Sequence, residues 1–209
     1  MANYCTVSEI RAELDKSDVT DDTVLIRLIQ AATRNIDRAC HRLDGFVADA
    51  TATARTYMGN NDNFLRVDEF VGEASVQVKP AATSSYEAWT TSDFIECAGD
   101  KRFPDYNPAA KGLPYTALRV DPNGDYSIFY ADTEYPTVEV TARWGFATSV
   151  PPDIKEACIM QVVRWLKRLR SGMSDTLAST DLGTLMYTKS LDPDVLRILR
   201  DGRYIRPVM

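Results

Sequence analysis

The chain has 209 residues, enough for one large domain or two small ones, and its 44% hydrophobic and 26% charged content is that of an ordinary globular protein with a packed core. Twenty-four basic and 30 acidic side chains leave a net charge of −6, which argues against a protein whose main task is gripping nucleic acid. No stretch approaches the roughly 18–20 apolar residues of a membrane span, the first residues show no secretory signal, and the scattered Cys5, Cys40, Cys97 and Cys158 read as reduced thiols.

Thr6-Val7-Ser8-Glu9 is a capping-box pattern and opens a short helix with Ile10 and Leu14 on one face. A second helix starts at Thr20, with Asp21 and Asp22 in its positive first turn. Its apolar stripe runs Leu25, Leu28, Ile29, Ala32, Ile36, Ala39, Cys40 and Leu43, and Asp44-Gly45 is expected to end it. From about residue 50 the period becomes two. Segments at 55–58, 64–67, 75–78, 86–89, 93–96, 117–120, 126–130 and 137–144 read as short strands, while 99–116, with Pro104, Pro108 and Pro114, reads as an irregular loop. Pro151-Pro152-Asp153 restarts a helix with the stripe Ile154, Ala157, Cys158, Val162, Trp165, Leu166 and Leu169. Residues 173–190 are polar and glycine-containing, and Asp192-Pro193-Asp194 opens a last helix through Val195, Leu196 and Leu199.

The fold class expected is α+β: an antiparallel helical unit of two long helices and short terminal ones, interrupted by an inserted β-sandwich or barrel-like domain. The boundaries are 1–48 and 149–172 for the helical unit, 49–148 for the β-domain and 173–209 for a C-terminal arm. Residues 1–149 hold 14 basic and 23 acidic side chains, net −9, and residues 150–209 hold 10 and 7, net +3; an acidic body with a basic tail suits directional assembly.

Catalytic signatures are absent, and neither a cofactor nor a metal is expected. His41, the single histidine, sits beside Cys40 at a helix end with no nucleophile motif. Adjacent residues on a helix diverge, and no second pair stands at zinc spacing. Asp121-Pro122-Asn123-Gly124-Asp125 starts like a calcium loop, but Tyr126 and Asp132 stand where that loop requires glycine and glutamate. A β-hairpin with a type I′ turn at Asn123-Gly124 is the better reading. Gly59-Asn60-Asn61 lacks the lysine of a phosphate loop. Arg164, Lys167, Arg168 and Arg170 form a basic cluster that complements a helix C-terminus or meets an acidic subunit or a phosphate. The β-region aromatics lack interleaved basic residues and read as core rather than a stacking platform.

Tyr4 to Ile10, Asp21-Asp22 leading into Leu28 to Ala32 and Ile36, the close Cys40-His41-Arg42, Val140 to Phe146 followed by Val150 to Cys158, and Ser190 to Leu196 together resemble the head–tail connector proteins, also called adaptor or head-completion proteins, of long-tailed phages and gene transfer agents. The resemblance spans roughly 1–45 and 138–205; the long β-insert departs from the small, nearly all-helical members. It implies a non-enzymatic virion protein, made in the host cytoplasm and forming a homo-oligomeric, typically dodecameric, ring in the neck. Such a ring binds the portal protein and the next neck protein, a stopper or tail-completion protein. DNA passes through it without sequence-specific binding, and no membrane is involved. Under it, Leu177, Leu182, Leu185, Met186, Tyr187, Arg197, Arg200, Arg203 and Arg206 are candidate portal contacts. Two other classes stay open: a module whose β-domain binds a carbohydrate or host-surface ligand, and a glycosidase-like enzyme needing two facing carboxylates.

Overall fold

The computed structural model describes residues 3–14, 22–81, 84–170, 176–179, 183–186 and 191–206. It divides into two compact units, one made of residues 1–45 with 150–209 and one of residues 46–149. Helices and an antiparallel sheet occur together, the α+β composition expected.

The first unit is helical. In α1 (Val7–Glu13) the Thr6 hydroxyl accepts the Glu9 amide at 3.3 Å and the Glu9 carboxylate accepts the Thr6 amide at 2.8 Å, a closed capping box. α2 (Asp22–Ala39) packs on α3 (Pro152–Arg170), and α4 (Pro193–Asp201) packs on α3. Leu25, Ile29, Ala32 and Ile36 are buried on α2, as are Ile154, Ala157, Cys158 and Val162 on α3, so each apolar stripe is covered. The expected cap, Thr20, and Asp21 of the expected first turn lie outside the described residues.

Three details differ from the sequence reading. α2 ends at Ala39, with Cys40 as its cap, and not at Asp44-Gly45. His41 takes a left-handed conformation (φ 55°), its amide donates to the Arg38 carbonyl at 3.2 Å, and the Arg42 amide donates to the Asp37 carbonyl at 2.8 Å. This is a Schellman close with histidine in the place glycine usually takes. Leu43, past that turn, is therefore off the stripe and 69% exposed. On α3, Trp165 and Leu169 are only half-buried, whereas Ile159 and Gln161 are buried. Residues 176–179 and 183–186 form a two-stranded antiparallel hairpin, β8–β9, with Leu177 opposite Leu185; the labels follow the seven strands of the second unit.

The second unit is one seven-stranded antiparallel sheet: β1 (Thr53–Tyr57), β2 (Phe64–Val78), β3 (Glu87–Ala88), β4 (Phe94–Gly99), β5 (Pro104–Asp105), β6 (Tyr115–Val120) and β7 (Val138–Trp144). The order is β1-β7-β2-β6-β4-β5, with β3 also on β2. The strands expected at 64–67 and 75–78 are one 15-residue strand. It bends instead of breaking, through register shifts between Arg66 and Phe70 and between Val71 and Ser75, with Gly72 at φ 77°. Its first half pairs β6 and its second half pairs β7, Phe70 opposing Tyr115 on one side and Trp144 on the other. Both halves of the sheet thus contribute to one core, including Leu65, Val76, Leu118, Val140 and Trp144.

The strand expected at 126–130 does not form; only an isolated bridge joins Phe129 to Asp62. Nor is there a type I′ turn, since neither Asn123 nor Gly124 has positive φ. Instead the Asp121 carboxylate accepts the Asn123 amide at 2.8 Å, and the Asp93 carboxylate accepts the Asp125 amide at 3.0 Å. Gly124 is needed for closeness: a Cβ there would stand 2.8 Å from Asp93 Cα. The irregular segment 99–116 also contains β5 and a short 3-10 helix, Ala109–Lys111. Where the chain enters and leaves the unit, Val47 and Ala147 form a parallel bridge, with amide–carbonyl bonds of 2.8 and 3.0 Å. Gly145 (φ 144°) belongs to that closure, because a Cβ would lie 2.3 Å from Ala48 Cα.

Burial ranks the two helical stripes. Ile36→Ala, at a fully buried site, should cost about 2–5 kcal/mol, and Trp165→Ala less than the ~3–5 kcal/mol of an enclosed tryptophan. Urea midpoints of the two variants check this; a larger loss at Trp165 would contradict the packing described.

Candidate functional site

Polar and sulfur groups gather in the helical unit where the first residues cross α2 and α3. The Tyr4 hydroxyl donates to Asp37 Oδ1, and the Tyr4 amide donates to Thr33 Oγ1 at 3.3 Å. The Cys5 thiol donates to Cys158 Sγ at 3.4 Å, and Thr33 Oγ1 lies 3.9 Å from the same sulfur. Asp37, Thr33, Cys5 and Cys158 are all buried. One turn on, buried Arg42 donates from Nε to the Tyr204 carbonyl at 2.8 Å, and the Arg206 amide donates to the Cys40 carbonyl at 3.0 Å. Tyr204 in turn donates its hydroxyl to Asp153 at 3.0 Å. The cluster ties both ends of the described chain to the α2–α3 pair.

Its electrostatics suit holding rather than reacting. Burial pushes the Asp37 carboxyl above its ordinary range against the Tyr4 hydrogen bond, and Asp37 Oδ2 has no hydrogen-bond partner. The hydrogen bond between the two sulfurs, together with burial, raises the Cys5 thiol, while the same bond lowers Cys158; burial raises Cys40 to about 12 and, in the β-unit, Cys97 to about 11, so Cys5, Cys40 and Cys97 stay protonated at neutral pH. Burial and Arg206 lower Arg42 to about 10, which still leaves it charged. His41 points to solvent beside the buried Cys40. The second carboxyl raised by burial, Glu96, belongs to the β-unit, where it accepts the Ala74 amide at 2.6 Å. Among the described residues no cluster of three or more His, Cys, Asp or Glu could hold a metal, and no helix is long and apolar enough to cross a membrane.

The sequence candidates fall in three places. In the basic cluster, Arg164 turns inward to Asp192 at 2.7 Å, whose amide donates to buried Gln161; Lys167, Arg168 and Arg170 line the last turn of α3. Of the arm's apolar residues, Leu177, Leu185 and Met186 stand in β8 and β9, and Leu182 and Tyr187 lie outside the described residues. Of its arginines, Arg197 and Arg200 are exposed on α4, Arg203 is exposed just past it at φ 57°, and Arg206 is partly buried. Asp37, Arg42 and Gln161 were missed: each is a polar residue among apolar stripes, and its burial is set by partners distant in sequence.

The β-unit holds a cleft of about 230 Å³ lined by Trp89, Tyr126, Tyr130, Glu87 and Asp125, a composition a sugar could use. Trp89, however, is 7% exposed and stacked by Tyr126 at 4.6 Å and Phe129 at 5.1 Å. Its rings are spent on packing, which disfavours the carbohydrate reading.

No protein-family model and no curated protein sequence matches the chain. Among solved structures, a chain in the neck of an empty GTA particle, computed with C6 symmetry, has a similar fold: TM-score 0.51 at 12% identity, covering 98% of this chain and 92% of that one. The likeness therefore runs through both units.

Because folding raises the Asp37 carboxyl above its ordinary 3.8, its contribution is full at pH below that value and is lost as pH rises through the raised one. Relative to Asp37→Asn, the wild type should lose stability as pH climbs above the ordinary aspartate range and through the raised value. Paired urea midpoints measure the difference; a gap that stays flat or widens in favour of the wild type would overturn the assignment.

Proposed function

We propose that this chain is a structural component of the neck of a phage-like particle, where copies form a ring between the portal and the next neck protein and extend the DNA channel. The observation that carries the reading is the near full-length fold likeness to a chain of a GTA particle neck, covering helical and β-units alike. Three features support it. The buried thiols and carboxyls of the helical unit are engaged in holding the chain together. The β-unit aromatics are largely core. The net charge of −6 per copy makes a channel wall that repels DNA and so lets it slide. A ring of twelve copies is compatible with the six-fold symmetry of the neighbour's assembly.

The experiment is deletion of the gene in a producing strain. DNA-filled heads and separate tails should accumulate, and the chain supplied from a plasmid should restore joined particles; normal particles without it would refute a neck role.

Within that role, we assign the portal contact to the β8–β9 hairpin, through Leu177, Leu185 and Met186 with Leu182 and Tyr187, and to the arginines at 197, 200, 203 and 206. Replacing Leu177, Leu185 and Met186 together with Ser should abolish co-purification with portal-bearing heads while helical circular dichroism persists. Retained co-purification would move the contact elsewhere. Removing everything past residue 172 is a poorer test, because it strips the buried Val195 and Leu199 from the helical unit.

A further inference from the structure

The outer face of α2 is basic. Arg27, Arg34 and Arg38 are all exposed, and their spacings of seven and eleven residues put them in one stripe about 16 Å long. None of the three guanidinium groups has an ion pair or hydrogen-bond partner among the described residues. The stripe lies on the side of α2 opposite the buried Leu25, Ile29, Ala32 and Ile36 that face α3. It therefore points away from the rest of its own helical unit.

Elsewhere on that unit, α3 and α4 frame a cleft of about 580 Å³, lined by Asp153, Glu156, Asp194, Asp201, Arg197 and Ile198. Four carboxylates face one guanidinium. Asp201 pairs with Arg197 at 3.4 Å and Asp153 accepts the Tyr204 hydroxyl, whereas the Glu156 and Asp194 carboxylates have no side-chain partner among the described residues. The cleft is open and negative, with Ile198 as its one apolar side chain.

We propose that copies of this chain join head to tail, the arginine stripe of α2 in one copy seating in the α3–α4 cleft of the next. The inference rests on the ring reading above and supplies its contact. A chain carrying net −6 repels its own copies in general, so association needs a local match of opposite sign, and the stripe and the cleft provide one on the same unit. The stripe cannot reach the cleft of its own copy, since α2 turns its other face toward α3. Two different patches in contact make a heterologous interface, which propagates and closes into a ring when the rotation allows.

The test uses the full chain and sedimentation velocity. The wild type should self-associate at about 0.05 M salt and disperse by about 0.5 M, as screening of exposed charges requires. Arg34→Gln with Arg38→Gln, and separately Glu156→Gln with Asp194→Asn, should each weaken association about tenfold or more. All four side chains are exposed, so unfolding midpoints should match the wild type. An equimolar mixture of the two double variants is diagnostic, because one intact stripe meets one intact cleft. It should give 1:1 dimers and nothing larger. A wild type that stays monomeric throughout, variants that assemble like the wild type, or a mixture without dimers would each overturn the contact. So would loss of DNA retention in the arginine variant with self-association intact, which would assign the stripe to phosphate. None of these outcomes touches the neck role, which the gene deletion decides by itself.

Discussion

The helical unit draws its residues from both sides of a hundred-residue excursion, and everything else follows from how that excursion is closed. Bringing together the ends of a long flexible loop has an entropic cost that grows with the logarithm of its length. Here the β-unit meets that requirement internally: Val47 and Ala147 pair, the Ala48 amide reaches the Ala147 carbonyl, and Gly145 lets the two backbones approach. Once the sheet has formed, the two halves of the helical unit emerge side by side. α2 and α3, separated by 112 residues between Ala39 and Pro152, then behave as though a short connection joined them.

The second constraint is the polar seam of the helical unit. Tyr4, Asp37, Arg42 and Tyr204 come from the first residues, the body and end of α2, and the last described segment. Burying such groups is costly unless each finds a partner, and most of them do. The Arg42 guanidinium reaches a carbonyl 162 positions away, and Asp37 keeps one oxygen bonded to Tyr4 and one without a hydrogen bond. The arrangement narrows the ways in which the termini can lie on α2 and α3, because any other placement strands a charge or a hydroxyl. An apolar seam would tolerate sliding; this one does not.

What the sequence disclosed follows period and capping. The stripes of α2 and α3 and the capping box at Thr6 were legible because each is a local pattern with a fixed spacing. The end of α2 was not, because the left-handed position is filled by His41, and a non-glycine residue there carries no signal in composition. β2 was split in two because its bend at Gly72 looks like a turn, although pairing on both sides holds it as one strand. Tyr126 to Tyr130 alternates like a strand, yet Tyr126 and Phe129 stack on Trp89 instead of pairing along a neighbour. The polar seam was invisible for a related reason: the partners of Asp37 and Arg42, Tyr4 and Tyr204, lie far away in the sequence.

A chain that commits its buried polar groups to holding its ends together leaves its exposed surface to make contacts. The β-unit fills its interior with aromatics and presents an acidic exterior, with large apolar side chains such as Phe103 and Tyr135 exposed in its loops. The helical unit, by contrast, separates its charges, arginines along the outer face of α2 and carboxylates in the α3–α4 cleft. Uniform charge keeps copies apart, whereas charge segregated onto two faces of one rigid unit gives association a direction. If copies meet through the helical units, the β-units and the β8–β9 hairpin remain available for other proteins. The sheet closes on its own core, and the chain enters and leaves the β-unit at the paired Val47 and Ala147.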